Sequence, residues 1–322
     1  PRMVLIQPTY VCDHECGYCM FFGVNEKYHT IAPLASWVSL LSQFTEINGG
    51  LPTESRIGAI DICGGGEPLL APYMLELYQA IVRADMKFGQ ITNGTKLKGD
   101  VMKFCVDHGT YLRVSLDTVD SAVYSRTRTP GRLDTVKVVL ANLWEAAKYK
   151  AETQSPIDLS VKLLISQDTL PSFLDTLIFF KDWPLTYLQV KIARDWEGPH
   201  GISEEQAESL EAQCAAIQPQ VKARIVCNVK KGSLTTACFM TPIHAVVDAN
   251  GDAFLCCYYF QREEAHNIGN VFQRPFDEVW KAPRHLEAIA GIDAAICNVH
   301  DCKFFAINAG MQALLEAAPE FV

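Results

Sequence analysis

The chain has 322 residues, of which 49% are hydrophobic and 20% charged, with a net charge of −9. That composition belongs to a globular protein with a sizeable core and excludes a disordered chain, while the acidity argues against a general nucleic-acid binder. Apolar runs such as Leu174–Phe180 fall far short of the roughly 18 residues of a membrane helix, and Pro1-Arg2-Met3 leads straight into an apolar segment without a basic-then-apolar export signal. A cytoplasmic protein with no membrane and no nucleic-acid partner is expected.

In chain order, Val4–Thr9 reads as a short apolar strand and Ala35–Phe44 as a helix. Ile57–Ile62 is a strand ended by Gly64-Gly65-Gly66, and Pro72 opens a helix over Tyr73–Arg83. Lys87–Thr92 is a strand closed by Asn93-Gly94, followed by a helix over Asp100–Asp107. Tyr111–Ser115, Ile157–Ile165 and Thr186–Ala193 complete the strands, with helices over Asp134–Lys150, Ser172–Lys181 and Glu204–Ala216. Six strand–helix alternations describe an α/β fold with a parallel sheet, which a right-handed series curls into a barrel or partial barrel. Near 226–232 the rhythm changes, and Ile243–Asp248, Asn250-Gly251 and Ala253–Cys257 form a hairpin signal. Helices near Phe276–Lys281, Arg284–Ala290 and from Ala306 follow. The pattern divides the chain into 1–228 and a smaller α+β unit over 229–322.

Cysteine is the departure from ordinary composition, with 12 residues in the chain. In a cytoplasmic chain, clustered cysteines are metal ligands or catalytic groups more often than disulfides. Cys12, Cys16 and Cys19 crowd one short loop, and Cys238, Cys256, Cys257, Cys297 and Cys302 gather near the C-terminal end. Cys105, Cys214 and Cys227 read as packing residues. A closed structural zinc site wants four ligands, and His14, between two of the cysteines, is strained as the fourth. Three thiolates suit a [4Fe–4S] cluster with one iron left open.

The loop Cys12-Asp13-His14-Glu15-Cys16-Gly17-Tyr18-Cys19 resembles the CxxxCxxC loop of the radical S-adenosylmethionine (radical SAM) superfamily. Gly64-Gly65-Gly66-Glu67-Pro68 is similar to that family's GGEP turn, and Thr92-Asn93-Gly94 and Ser115-Leu116-Asp117 close the next two strands as family members show. The resemblance covers about residues 4–225 and implies a partial (β/α)6 TIM-like barrel. It implies that Cys12, Cys16 and Cys19 hold the cluster and that S-adenosylmethionine (SAM) chelates the open iron. Gly65, Gly66 and Glu67 would serve its amino group and Tyr18 the adenine, with Asn93, Ser115 and Asp117 candidates for polar contacts. Cys238-x12-Gly251-x4-Cys256 and Ile268-Gly269-Asn270-Val271 resemble the SPASM or twitch auxiliary-cluster domains, the one-cluster twitch version fitting the cysteine count better. Cys238, Cys256, Cys297 and Cys302 would then close a second [4Fe–4S] cluster, with Cys257 competing for the place of Cys256; the alternative reading of the four thiolates is zinc. Cys257 and Cys63 are candidate hydrogen-atom donors. Arg126, Arg128 and Arg132 could clamp an anion or form a solvated loop, and Lys191, Arg194 and Asp195 would face the barrel rim.

The resemblance implies reductive cleavage of SAM to a 5′-deoxyadenosyl radical, with oxidation or epimerisation of a carbon in a small polar metabolite such as a sugar, aminocyclitol or nucleoside. An electron donor such as flavodoxin or ferredoxin is the implied partner. A peptide-modifying enzyme is the alternative. Such members often carry a leader-recognition domain, for which the residues ahead of Cys12 in this sequence leave no room. A non-catalytic, zinc-stapled binding protein is the third reading.

Overall fold

The computed structural model describes residues 1–21, 29–193, 200–229, 238–259, 262–292, 302 and 304–317. The first half alternates strictly: β1 (Met3–Ile6), α1 (Leu34–Gly49), β2 (Ala59–Ile62), α2 (Met74–Arg83), β3 (Lys87–Thr92), α3 (Gly99–His108) and β4 (Tyr111–Ser115). Then come α4 (Ser121–Arg128), α5 (Thr135–Thr153), β5 (Asp158–Ile165), α6 (Phe173–Phe179), β6 (Tyr187–Ile192), α7 (Glu204–Ile217) and β7 (Arg224–Asn228). The C-terminal part adds β8 (His244–Val247), β9 (Asp252–Phe254), α8 (Glu263–His266), β10 (Asn267–Asn270), α9 (Phe276–Trp280), α10 (Pro283–Ala290) and α11 (Phe305–Ala317).

All ten strands join one sheet in the order β10-β9-β8-β1-β2-β3-β4-β5-β6-β7. Neighbours from β8 through β7 are parallel, while β9 is antiparallel to both β8 and β10. The end strands do not pair with each other, so the barrel is open, as the α/β, partial-barrel expectation required. Three features differ from the sequence pattern. A seventh parallel strand, β7, pairs with β6; β10 joins the hairpin; and β8 lies against β1, with Met3 opposite His244 and Ile6 opposite Val247. The sheet therefore continues across residue 228.

Strand side chains alternate between faces. Val4, Ile6, Ile60, Ile62, Leu112 and Val114 point outward and pack under the helices with alternate residues of β5 and β6. Each such burial is worth about 1.5–3 kcal/mol. The C-terminal part is fastened to α1 by aromatic edges: Trp37 meets Phe272 at 5.0 Å and Phe44 meets Phe276 at 4.8 Å between ring centroids. Gln43 Oε1 accepts the Phe276 amide at 2.7 Å.

A cysteine loop at the rim and a cysteine cavity at the foot

β1 ends at Ile6, and the following segment leads into the cysteine loop along the glycine turn. The Gly66 amide donates to the Thr9 carbonyl at 2.7 Å and the Glu67 amide to the Val11 carbonyl at 2.8 Å. A Cβ on Gly66 would stand 2.0 Å from the Val11 oxygen. Glycine is required there because the turn presses on the stem of the loop itself. Gly65 has φ +67, in the left-handed region, and a Cβ on it would stand 2.7 Å from the Thr9 oxygen.

Within the loop, the Cys12 sulfur accepts the His14 amide and the Cys19 sulfur the Phe21 amide, both at 3.4 Å. Burial pushes the Cys12 thiol up to about 12 and the Cys16 thiol up to about 11. Buried thiolates need a cationic partner, and amide donors aimed at sulfur suit iron–sulfur ligation, so the three thiols fit a three-thiolate [4Fe–4S] cluster. His14, whose ligand atoms lie near those of Cys12 and Asp13, has partners on both ring nitrogens. Its Nε2 lies 2.8 Å from the Tyr124 hydroxyl, and its Nδ1 lies 2.7 Å from Asn93 Nδ2 and 3.2 Å from Asp13. Burial lowers the His14 pKa, which favours the neutral ring.

Glu67 is the hub of the turn. Its Oε1 accepts from the Leu69 amide at 3.0 Å and the Thr92 hydroxyl at 2.6 Å, and its Oε2 accepts the Asn93 amide at 2.6 Å. Burial nevertheless raises its pKa to about 7. Asn93 is similarly committed, with Nδ2 donating to Asp13 at 2.6 Å and Oδ1 accepting the Thr95 amide and hydroxyl. Asp117 is fully buried at φ +71. Its Oδ2 accepts from Arg128 at 2.7 Å and from the Tyr18 hydroxyl, while Oδ1 accepts the Leu164 amide at 2.9 Å. Ser115 ends β4, on the inner face of the barrel beside Lys162. Cys12, Cys16, Cys19, Tyr18, Gly65, Gly66, Glu67, Asn93, Ser115 and Asp117 therefore share one rim.

The arginine-rich segment is a solvated loop only in its second part, where residues 130–134 are exposed. Ser121–Arg128 is a helix, capped by Asp120, whose carboxylate accepts the Ala122 and Val123 amides. Its last carbonyls receive the cysteine loop: the Glu15 amide donates to Arg128 O at 2.8 Å and the Gly17 amide to Thr127 O at 3.4 Å. The three arginines also do not converge as an anion clamp. Arg128 is buried on Asp117, Arg132 donates to the Asp13 carbonyl at 2.7 Å, and Arg126 pairs with Asp168 at 3.1 Å. The pattern missed α4 because it is short and largely polar, so little apolar periodicity marks it.

The second set of cysteines lies elsewhere on the same strands. Cys238 precedes β8 and Cys256 follows β9, which runs back along it, so both stand at the N-terminal foot, whereas the first loop leaves the C-terminal end of β1. Cys238, Cys256 and Cys302 line one cavity with His244, His266 and Phe304. Asn308 of α11, 1% exposed, donates through Nδ2 to the Cys238 sulfur at 3.7 Å and accepts the Phe239 amide at 2.9 Å. Three thiols, one with an amide donor on its sulfur, fit an auxiliary iron–sulfur centre. Cys257, whose thiol is hydrogen-bonded with that of Cys256, also packs with Cys19, Met20 and Cys63 against the buried cluster of Leu5, Phe21, Val246, Phe254 and Tyr259. Lys191 lies on β6; Cys297, Arg194 and Asp195 lie outside the described residues. Asn308 carried no motif, and Arg128, Thr92 and Asp13 lay inside motifs without a role of their own, because each acts through a partner distant in sequence.

Two family models match. That of the radical SAM superfamily covers residues 6–152, and that of SPASM, an iron–sulfur cluster-binding domain, covers residues 238–303. An S-adenosylmethionine-dependent nucleotide dehydratase of Psychrobacter lutiphocae is 26% identical over 122 residues, 35% of this chain and 40% of that protein. The alignment thus spans well under half of the curated relative. Among solved structures, SuiB of Streptococcus suis bound to S-adenosylmethionine is similar with a TM-score of 0.65 at 17% identity, covering 88% of this chain and 67% of that one. Native anSMEcpe with bound AdoMet reaches 0.68 at 16% identity, covering 96% and 88%. At such identities the structures testify to the fold.

Proposed function

The chain belongs to the radical SAM superfamily and carries a SPASM iron–sulfur domain, and on that footing we propose that it oxidises or epimerises a carbon centre of a small polar metabolite: a sugar, an aminocyclitol or a nucleoside. When bound, the three-thiolate [4Fe–4S] cluster supplies an electron to SAM, releasing methionine and the 5′-deoxyadenosyl radical that removes a substrate hydrogen. The carrying observation is the pair of cysteine sets at opposite ends of the same parallel strands, with the barrel interior between them. Cys12, Cys16 and Cys19 are assigned to the SAM cluster, and Cys238, Cys256, Cys297 and Cys302 to the auxiliary one. The units 1–228 and 229–322 carry one set each, and a flavodoxin or ferredoxin is the proposed electron donor.

At the rim, the Asp117–Arg128 pair positions Tyr18, and Glu67 positions the turn and Asn93. Cys238, Cys256, Cys297 and Cys302 would hold the auxiliary cluster, which would supply an electron acceptor of the kind that oxidation needs. Epimerisation instead needs a hydrogen-atom donor, and the packing of Cys257 and Cys63 against one apolar cluster that also contacts Cys19 supports them as the candidates. The nucleotide dehydratase relative favours the nucleoside end of the substrate range.

Iron and sulfide analysis of the anaerobically reconstituted chain tests the assignment. About eight irons per chain are expected, falling to about four in Cys256→Ala and staying near eight in Cys257→Ala. Zinc without iron, or no 5′-deoxyadenosine from SAM and dithionite, overturns the reading.

A further inference from the structure

By sequence Cys214 and Cys227 are packing residues, and neither belongs to the sets at the rim and the foot. The last βα unit nevertheless brings them together. β6 and β7 are parallel, so α7, which connects them, runs antiparallel to both. The buried residues of α7, Ala207, Leu210, Cys214 and Ile217, fall at helical spacing on the face turned to the sheet. On β7, Ile225 and Cys227 stand opposite Leu188 and Val190 of β6. Those two are buried under the helices, and paired residues of neighbouring strands share a face, so Cys227 points toward the helix layer.

Gln218, just past the end of α7, fixes the register between helix and strand. Its Oε1 accepts the Ile225 amide at 2.7 Å, and its Nε2 donates to the Val221 and Ala223 carbonyls at 3.2 and 3.1 Å. Cys214 lies one helical turn before Gln218, about 6 Å back along the axis. Cys227 lies two residues beyond Ile225, about 7 Å along the strand. Because helix and strand run in opposite directions, the two steps carry both cysteines to the same level, and their thiols are hydrogen-bonded to each other. The two differ in access. Cys214 is 5% exposed, whereas Cys227 is half-buried on the strand that ends the sheet. The hydrogen bond lowers the Cys227 pKa, against burial and the Glu211 carboxylate, and raises that of Cys214. The more accessible sulfur is therefore the nucleophile, and the buried one stands beside it.

We propose that Cys214 and Cys227 are a redox-active dithiol, which closes to a disulfide between α7 and β7 by exchange with a low-molecular-weight disulfide. The Cys227 thiolate attacks one sulfur of the small disulfide, breaking its S–S bond, releasing one small thiol and forming a mixed disulfide. The Cys214 sulfur then attacks the Cys227 sulfur and expels the second small thiol. Both protein thiols are oxidised, one small disulfide is reduced to two thiols, and the two protein protons end on those released thiols. Excess small thiol reverses the sequence. The closed bond would join the helix to the strand on the outer side of the sheet, across the connection that Gln218 already pins. The site stands apart from both iron–sulfur assignments and does not rest on the radical SAM reading.

Disulfide mapping of the full-length, anaerobically reconstituted chain tests the pair. The chain is equilibrated at graded ratios of glutathione to glutathione disulfide, free thiols are alkylated, and the protein is digested with trypsin. Cleavage after Lys222 and Arg224 separates the two cysteines, leaving Cys227 in the peptide 225–230. The expected result is that peptide joined to the one carrying Cys214, in a yield that rises with glutathione disulfide and returns to zero in excess glutathione. Cys214→Ser removes the resolving sulfur and should accumulate the Cys227–glutathione adduct by about tenfold or more over the wild type. Cys227→Ser should leave Cys214 without an adduct, because the buried sulfur is not the one that attacks. Peptides that stay separate at the most oxidising ratio overturn the proposal. So does a wild-type adduct on Cys227 that never resolves, or a Cys227 disulfide to any other cysteine. The wild-type mapping decides even where a serine variant fails to fold, and no step of it requires cleavage of SAM.

Discussion

Buried polar residues tie the cysteine loop to the C-terminal part through a short chain of hydrogen bonds. The Tyr10 hydroxyl donates to Asp248 Oδ2 at 2.6 Å and lies 2.9 Å from the Tyr259 hydroxyl, which donates to Gln7 Oε1 at 2.7 Å. Burial raises the Asp248 pKa from an ordinary 3.8 to about 6. A carboxyl with a raised folded pKa binds more protons folded than unfolded between these values, so its ionisation lowers stability as pH rises from about 4 to about 6, with no further change above that. The contribution is about 3 kcal/mol in order of magnitude. Asp248→Asn is expected to flatten this part of the profile, measured as urea midpoints of the apo chain between about pH 4 and pH 7; a variant retaining the full wild-type slope would assign it to another group.

At the scale of the element, α4 organises the rim. Its N-terminus is set by the Asp120 cap, its last carbonyls hold the cysteine loop, and Arg128 in its last turn neutralises Asp117 across the site. Arg128 and Asp117 side chains are 7% and 0% exposed, so Arg128→Met would strand a buried carboxylate and should cost about 3–5 kcal/mol. The expected observation is a lower urea midpoint at unchanged slope, with partial recovery in the Arg128→Met, Asp117→Asn double variant. An unchanged midpoint would show that the Tyr18 hydroxyl and the Leu164 amide suffice to hold Asp117. Little of this was legible beforehand. Arg126, Arg128 and Arg132 announced themselves as a cluster, but their separate partners Asp168, Asp117 and Asp13 are chosen by packing, not by spacing.

For the whole molecule, the decisive contact is β8 on β1. Without residues beyond 228, β1 would change from an interior strand to an edge, and α1 would lose the aromatic edges of Phe272 and Phe276. A chain ending at residue 228 is therefore expected to lack the cooperative thermal transition of the full chain, followed by circular dichroism; a sharp transition at the full-length temperature would show the barrel to be self-sufficient. None of the described helices is long and apolar enough to cross a membrane.

By itself the sequence determined the βα rhythm, because parallel strands and amphipathic helices write their periods locally, and it marked the three-cysteine loop and the glycine turn, because metal ligation and close backbone approach admit few residue types. Tertiary structure decided what depends on partners far apart in the chain. It seated Cys256 with Cys238 and Cys302 around one cavity and packed Cys257 against an apolar cluster. It paired Arg128 with Asp117, carried one sheet through both parts of the chain, and brought Cys214 of α7 to Cys227 of β7. The reason is the same in each case: a side chain's face follows from its own strand, whereas its neighbours follow from register between strands, which emerges only when the sheet forms.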